Sequence, residues 1–303
     1  MSNLIKLFLS FGLLFLVGFC LVSSVSVTEQ DYSWDLLIFT QQWPQTVCHR
    51  WKTENKNHKC VLPSAKNLWT IHGIWPTKYG KMGPFFCNST WIFNNTEIAP
   101  IENQLELFWT NVELKGDQYD LWKHEWEKHG TCASVLPELN TEIRYFNQGL
   151  NWLHQYSMSS ILANTKIMPD STPTVAELHG AIVSQLNRNP VIHCDYDSKR
   201  GETFLAEIRI CFNKSLELTD CDGVSGYPFH HPLVWTNGRA SDVKIITNCD
   251  PSMKIVYPSI VPDLEEQLPP LHNDPRSIPE DNSWGVTLVK LYKIIQILKW
   301  ATF

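Results

Sequence analysis

The chain has 303 residues, 43% of them hydrophobic and 18% charged, which supplies material for a packed core and excludes a disordered chain. Its formal net charge of −6 excludes a protein that grips nucleic acid by bulk positive charge at neutral pH. The 11 histidines relax that exclusion in acid, because an unperturbed imidazole gains charge below about pH 6.5.

At the N-terminus, Lys6 precedes an apolar run that reaches Val22 and is interrupted only by Ser10, Gly12 and Gly18. This is a signal-peptide pattern, and the small residues Ser24 and Ser26 predict a leader over 1–26 with cleavage after Ser26. The run is nearly long enough to act as an uncleaved anchor, but the small residues that follow favour cleavage. Cys20 leaves with the leader, and Cys48, Cys60, Cys87, Cys132, Cys194, Cys211, Cys221 and Cys249 remain. An even set in an exported chain predicts four disulfides, and the lack of any C-x-x-C pair argues against zinc clusters. Spacing does not settle the pairing, although short loops favour Cys48–Cys60 and Cys211–Cys221. Asn88, Asn94 and Asn213 each begin an N-x-S/T triplet and are candidate glycosylation sites.

In chain order, residues 34–43 (WDLLIFTQQW) are apolar and β-prone and predict a buried strand that ends at Pro44. Residues 68–75 (LWTIHGIW) predict a second strand. Residues 117–130 have helical composition, with Gly130 as a stop. Residues 141–156 and 174–186 read as further helices, the latter opened by a capping box of Thr174 and Glu177. Residues 191–194 and 203–212 (TFLAEIRICF) read as strands. The mixture predicts one α+β domain over 27–258, built on an antiparallel sheet. Beyond it, residues 261–280 carry five prolines and predict an extended linker. Residues 284–300 are apolar with three lysines, too short and too charged for a membrane span, and fit a helix lying on a surface or docked on protein.

Two segments carry chemistry: 69–76 (WTIHGIWP) and 123–132 (KHEWEKHGTC). On a helix, Glu125 and His129 share a face, and Lys128 joins them. The rival reading is a metalloprotease, whose zinc ligands stand four residues apart on a helix. His124 and His129 are five apart, which on a regular α-helix leaves their rings roughly 140° apart and argues against a shared ion. RNA cleavage without metal needs a group that deprotonates the 2′-hydroxyl and another that protonates the departing 5′-oxygen, and two imidazoles suit both tasks. A cation or protonated carboxyl aimed at the phosphate oxygens would stabilise the charge that develops there.

The segments IHGIWP and HEWEKHGTC resemble the two active-site segments of the ribonuclease T2 family, over a likeness running from about Trp34 to about Pro258. The resemblance implies an α+β fold with a central antiparallel sheet flanked by helices, and the pairings Cys48–Cys60, Cys87–Cys132, Cys194–Cys249 and Cys211–Cys221. It implies an endoribonuclease acting on single-stranded RNA through 2′,3′-cyclic phosphates, monomeric and without metal or organic cofactor, best in acid, in a secreted or lysosomal setting. Position by position, His72 and His129 would be the acid–base pair, with His129 the base of the first step. Glu125 and Lys128 would stabilise the transition state, His124 would bind phosphate and Trp75 would stack a base. One departure concerns base choice: many members carry Asp after Trp-Pro, and this chain has Thr77. Tyr79, Phe85 and Phe86 are candidate stacking residues nearby. Trp69, Trp122 and Trp126 read as scaffold. The alternative from another class is a secreted glycoprotein that acts on a receptor or cytoskeletal partner independently of catalysis; an intact histidine set argues against it.

Overall fold

The computed structural model describes residues 32–65, 67–224, 233–235 and 244–262. The predicted leader at 1–26, the linker predicted over 261–280 apart from its first two residues, and the segment 284–300 lie outside the described residues.

The elements run β1 (Leu36–Gln42), α1 (Pro44–Glu54), β2 (Lys59–Cys60), β3 (Thr70–Thr77), α2 (Asn95–Ile98), α3 (Glu102–Phe108), β4 (Glu113–Leu114) and α4 (Asp120–Glu125). A π-helical turn, Trp126–Gly130, joins α4 to α5 (Thr131–Ala133). There follow α6 (Glu142–Gln155), α7 (Met158–Asn164), α8 (Val175–Leu186), β5 (Val191–Asp197), β6 (Glu202–Phe212), β7 (Leu218–Thr219), β8 (Leu233–Trp235), β9 (Ile245–Thr247) and β10 (Ile255–Val256).

The main sheet is ordered β3-β1-β6-β5-β9-β8, with β7 and β10 also paired to β6. The central ladders β3·β1, β1·β6 and β6·β5 are antiparallel, as predicted, and the short parallel pairings β5·β9 and β6·β10 make the whole sheet mixed. β1 lies between β3 and β6 and is buried at every residue, which is why Leu36–Phe39 form a continuous apolar run rather than an alternation, followed by the buried polar residues Thr40, Gln41 and Gln42. Pro44 ends that strand, as its missing N–H requires, but it also starts a helix. Its fixed φ suits the first helical position, and α1 follows directly.

The helices pack against the sheet around a tryptophan-rich core. Trp34, Trp43, Trp69, Trp109 and Trp122 are fully buried. Their indole N–H groups bond to the Cys132 carbonyl, the Pro258 carbonyl, the Tyr257 hydroxyl, the His72 carbonyl and the Trp109 carbonyl respectively. A buried indole needs such a partner, and here the partners tie distant segments together. α8 opens with the Thr174–Glu177 capping box and closes on Asn187 in the left-handed conformation. Four disulfides join Cys48–Cys60, Cys87–Cys132, Cys194–Cys249 and Cys211–Cys221. Cys87–Cys132 ties the loop after β3 to the segment just beyond the π turn. Asn88, Asn94 and Asn213 sit in surface turns, their side-chain oxygens accepting from the backbone N–H of Thr90, Thr96 and Ser215.

Candidate active site

His72 owes its position to an irregularity in the sheet. Along the β1–β3 ladder, Thr40 pairs Gly73 and the next residue, Gln41, pairs Ile71. His72 is therefore the extra residue of a β-bulge, a device that re-aims one side chain. Its flanking residues are buried while its own side chain stays 29% exposed.

The helical segment is irregular at the matching place. α4 gives way to the π turn at Trp126–Gly130. A π turn takes more residues per revolution than an α-helix, so positions five apart approach one face. The expectation that His124 and His129 point roughly 140° apart is thus corrected: their ring centroids are 6.0 Å apart. His124, Glu125 and His129 each offer a ligand atom, all within 4.8 Å of one another, so this corner has the donor set to take a cation.

The bulge and the π turn meet around Trp75. Its ring lies 5.1 Å from that of His72 and 5.6 Å from that of His129. Its indole N–H donates to Glu125 Oε2 at 2.8 Å. The other carboxylate oxygen, Oε1, is 3.9 Å from His72 Nε2. Gly73 makes this approach possible: a Cβ there would stand 1.9 Å from Glu125 Oε2 and 2.3 Å from Trp75 Nε1. Gly73→Ala is therefore expected to displace the carboxylate, costing about 1–3 kcal/mol of stability and most activity. Thermal unfolding and steady-state rates measured side by side check this.

Burial and charge separate the two histidines. For His72, burial favours the neutral form, but the hydrogen bond and charge of Glu207, then the charge of Glu125, outweigh it and raise the pKa. His129 is 5% exposed, and burial together with Lys128, His124 and His72 holds its pKa well below the usual value. His124 is pushed down to about 3, mainly by burial and then by Lys128. Burial lifts Glu125 to about 7 against the pull of His72, Trp75 and Lys128. Burial also lowers Lys128, whose Nζ lies 5.0 Å from the centre of the Phe85 ring. One corner thus holds a histidine biased toward the cation, a histidine biased toward the free base, and a carboxyl that is neutral in acid.

Glu207 and Arg209 were not singled out from the sequence. Glu207, on β6, bonds His72 Nδ1 through Oε1 at 2.7 Å, while its Oε2 receives Arg209 Nη2 at 2.6 Å. Both side chains are buried, and the Arg209 guanidinium also lies 5.1 Å from the Trp75 ring centre. A signal was present: two opposite charges two residues apart in an apolar strand share a face and need each other when buried.

Of the candidate stacking residues, Phe85 packs edge-on to His129 at 5.6 Å, whereas Tyr79 and Phe86 are exposed. Thr77 is buried, and its hydroxyl donates to the Trp75 carbonyl at 3.1 Å, so its one proton is spent inside the protein and it lacks the acceptor pair of a carboxylate.

A family model for the ribonuclease T2 family matches residues 34–221. Ribonuclease Oy of Magallana gigas is 37% identical over 193 residues, 62% of this chain and 88% of its own. Ribonuclease T2 of Danio rerio is 30% identical over 257 residues, 84% of this chain and 98% of its own. The crystal structure of a mutant of RNase MC1 in complex with 5′-UMP matches with a TM-score of 0.55 at 27% identity, over 63% of this chain and 94% of that one.

Proposed function

The chain belongs to the ribonuclease T2 family and is an endoribonuclease of that family, and on that premise we propose that it cleaves single-stranded RNA without metal, through a histidine acid–base pair. The observation that carries this reading is the opposite displacement of two histidines around one carboxyl. Titrating groups whose environments push them apart take the acid and base roles.

His129, held neutral, accepts the proton of the ribose 2′-hydroxyl. The 2′-oxygen bonds to the adjacent phosphorus, the bond from phosphorus to the 5′-oxygen breaks, and His72, held protonated, gives its proton to that oxygen. The product is a 2′,3′-cyclic phosphate. In the second step His72 takes a proton from water as its oxygen attacks phosphorus, and His129 returns its proton to the 2′-oxygen, leaving a 3′-phosphate. Glu125 in its acid form and Lys128 stabilise the charge gathering on the phosphate oxygens. His124, facing His129, contacts phosphate, and the Trp75 face takes a base. The similar RNase MC1 mutant was crystallised in complex with 5′-UMP, which supports a nucleotide as the class of ligand. A neutral Glu125 and a charged His72 coexist in acid, so the optimum lies below neutrality. Four disulfides suit an oxidising lumen, in keeping with secretion or delivery to lysosomes.

The test is cleavage of single-stranded RNA by the purified, disulfide-intact protein from pH 4 to 8 with EDTA present. Undiminished cleavage, fastest in acid, is the expected result. Loss of activity on chelation, restored by a divalent ion, would assign the His124, Glu125 and His129 corner to a metal instead.

A further inference from the structure

Away from the catalytic corner, this acidic protein carries a markedly basic stretch among the described residues. Residues 49–60 (HRWKTENKNHKC) hold Arg50, Lys52, Lys56 and Lys59 against Glu54 in sequence, and in the fold Arg50 pairs with Glu113 and Asp195 while Lys115 also pairs with Glu113. Pairing of β2 with β4 sets Lys115 beside this stretch, its Nζ 5.1 Å from the Trp51 ring centre. Trp51 in turn stacks on His58, with centroids 3.4 Å apart and planes at 18°. The pair is locked from both sides: Trp51 Nε1 donates to the Lys59 carbonyl at 3.1 Å, and His58 Nδ1 meets the Trp51 carbonyl at 2.8 Å. A carbonyl only accepts, so Nδ1 carries the hydrogen and Nε2 is the nitrogen left for a ligand. Unlike the scaffold tryptophans, Trp51 is only half-buried and belongs to none of the apolar clusters of the core.

The patch lies within electrostatic reach of the catalytic groups, since the charge of Lys115 acts on His124 and that of Arg50 on His72. A preformed aromatic stack flanked by ammonium groups is the arrangement that holds single strands without regard to sequence, a base on the rings and a phosphate on the cations.

We propose that Trp51, His58, Lys59 and Lys115 form a distal subsite for a further nucleotide of single-stranded RNA that extends from the cleavage point. This subsite rests on the reading of the chain as an RNA-cleaving enzyme, and its test is arranged to stand apart from catalysis. The probe is a fluorescently labelled 2′-O-methyl RNA decamer, which lacks the free 2′-hydroxyl and is not cut. Its Kd, read by anisotropy at pH 5 on the full chain, is expected to weaken about tenfold in His58→Ala, the loss of a base stack. In Lys115→Gln the dependence of log Kd on log salt becomes shallower by roughly one phosphate contact. In parallel, the ratio of the KM for a cleavable decamer to that for a dinucleoside phosphate rises about tenfold in His58→Ala. Unchanged decamer Kd and salt slope in both variants overturn the subsite. An unmodified protein that binds the decamer through these residues but cuts neither substrate keeps the subsite and removes the catalytic reading.

Discussion

His129→Ala is expected to lower kcat/KM on single-stranded RNA by about 10³-fold or more at the pH optimum, because it removes the proposed base of the first step. The neighbouring imidazole, His124, meets His129 edge to face with centroids 6.0 Å apart and is assigned above to phosphate rather than to the 2′-hydroxyl. His72→Ala is expected to be as damaging on RNA, but for a different reason, and the substrate separates the two. An aryl ester of a nucleoside 3′-phosphate has a leaving group that departs without a proton. His72→Ala should recover most of its rate on that ester, whereas His129→Ala should not. Equal recovery by both variants, or recovery by His129→Ala alone, would reverse or discard the assignment.

Glu207→Gln tests what holds His72 ready. In the native protein a buried carboxylate, kept ionised by Arg209 and His72 despite its burial, bonds the Nδ1 of the histidine that must carry a proton. Glutamine keeps the shape and removes the charge. Burial then dominates His72 and favours its neutral form. The sign follows directly: a group whose pKa is raised in the folded site loses its proton at lower pH once the raising charge is removed. The alkaline limb of the kcat/KM profile therefore moves toward acid, with a fall of about 10²-fold at neutral pH and a smaller one near pH 5. Glu207→Asp should keep the charge and restore much of the neutral-pH rate. A uniform fall at every pH, with no movement of the limb, would reduce Glu207 to a structural partner of Arg209.

Much of this was legible in the chain. The buried run of 34–43 and the strand around His72 are β1 and β3, and the Thr174–Glu177 capping box opens α8. Other elements left no local trace. α1 follows a proline that reads as a strand stop, and its PQTVCHRWKTE sequence is largely polar, so no apolar stripe announces it. The π turn could not be read either, because the angular argument for His124 and His129 assumed a regular helix. The bulge at His72 depends on the register of Ile71 against Gln41, a partner 30 positions earlier in sequence. Glu207 is 135 residues from His72 and reaches it only because β6 and β3 flank β1. The local sequence therefore named the groups that the fold gathers in the candidate site, while the long-range pairing supplied their orientation and electrostatic surroundings.

The most direct test of the two-histidine account is the chemistry of the newly made ends. Single-stranded RNA digested at pH 5 with EDTA and quenched early should carry 2′,3′-cyclic phosphate and 5′-hydroxyl ends, the cyclic species later giving way to 3′-phosphate. The same strand with 2′-deoxyribose at the cleavage point should resist. Ends bearing 5′-phosphate, or cleavage at the deoxy position, would show that water rather than the 2′-hydroxyl attacks first, and would contradict the assignment of His129 and His72.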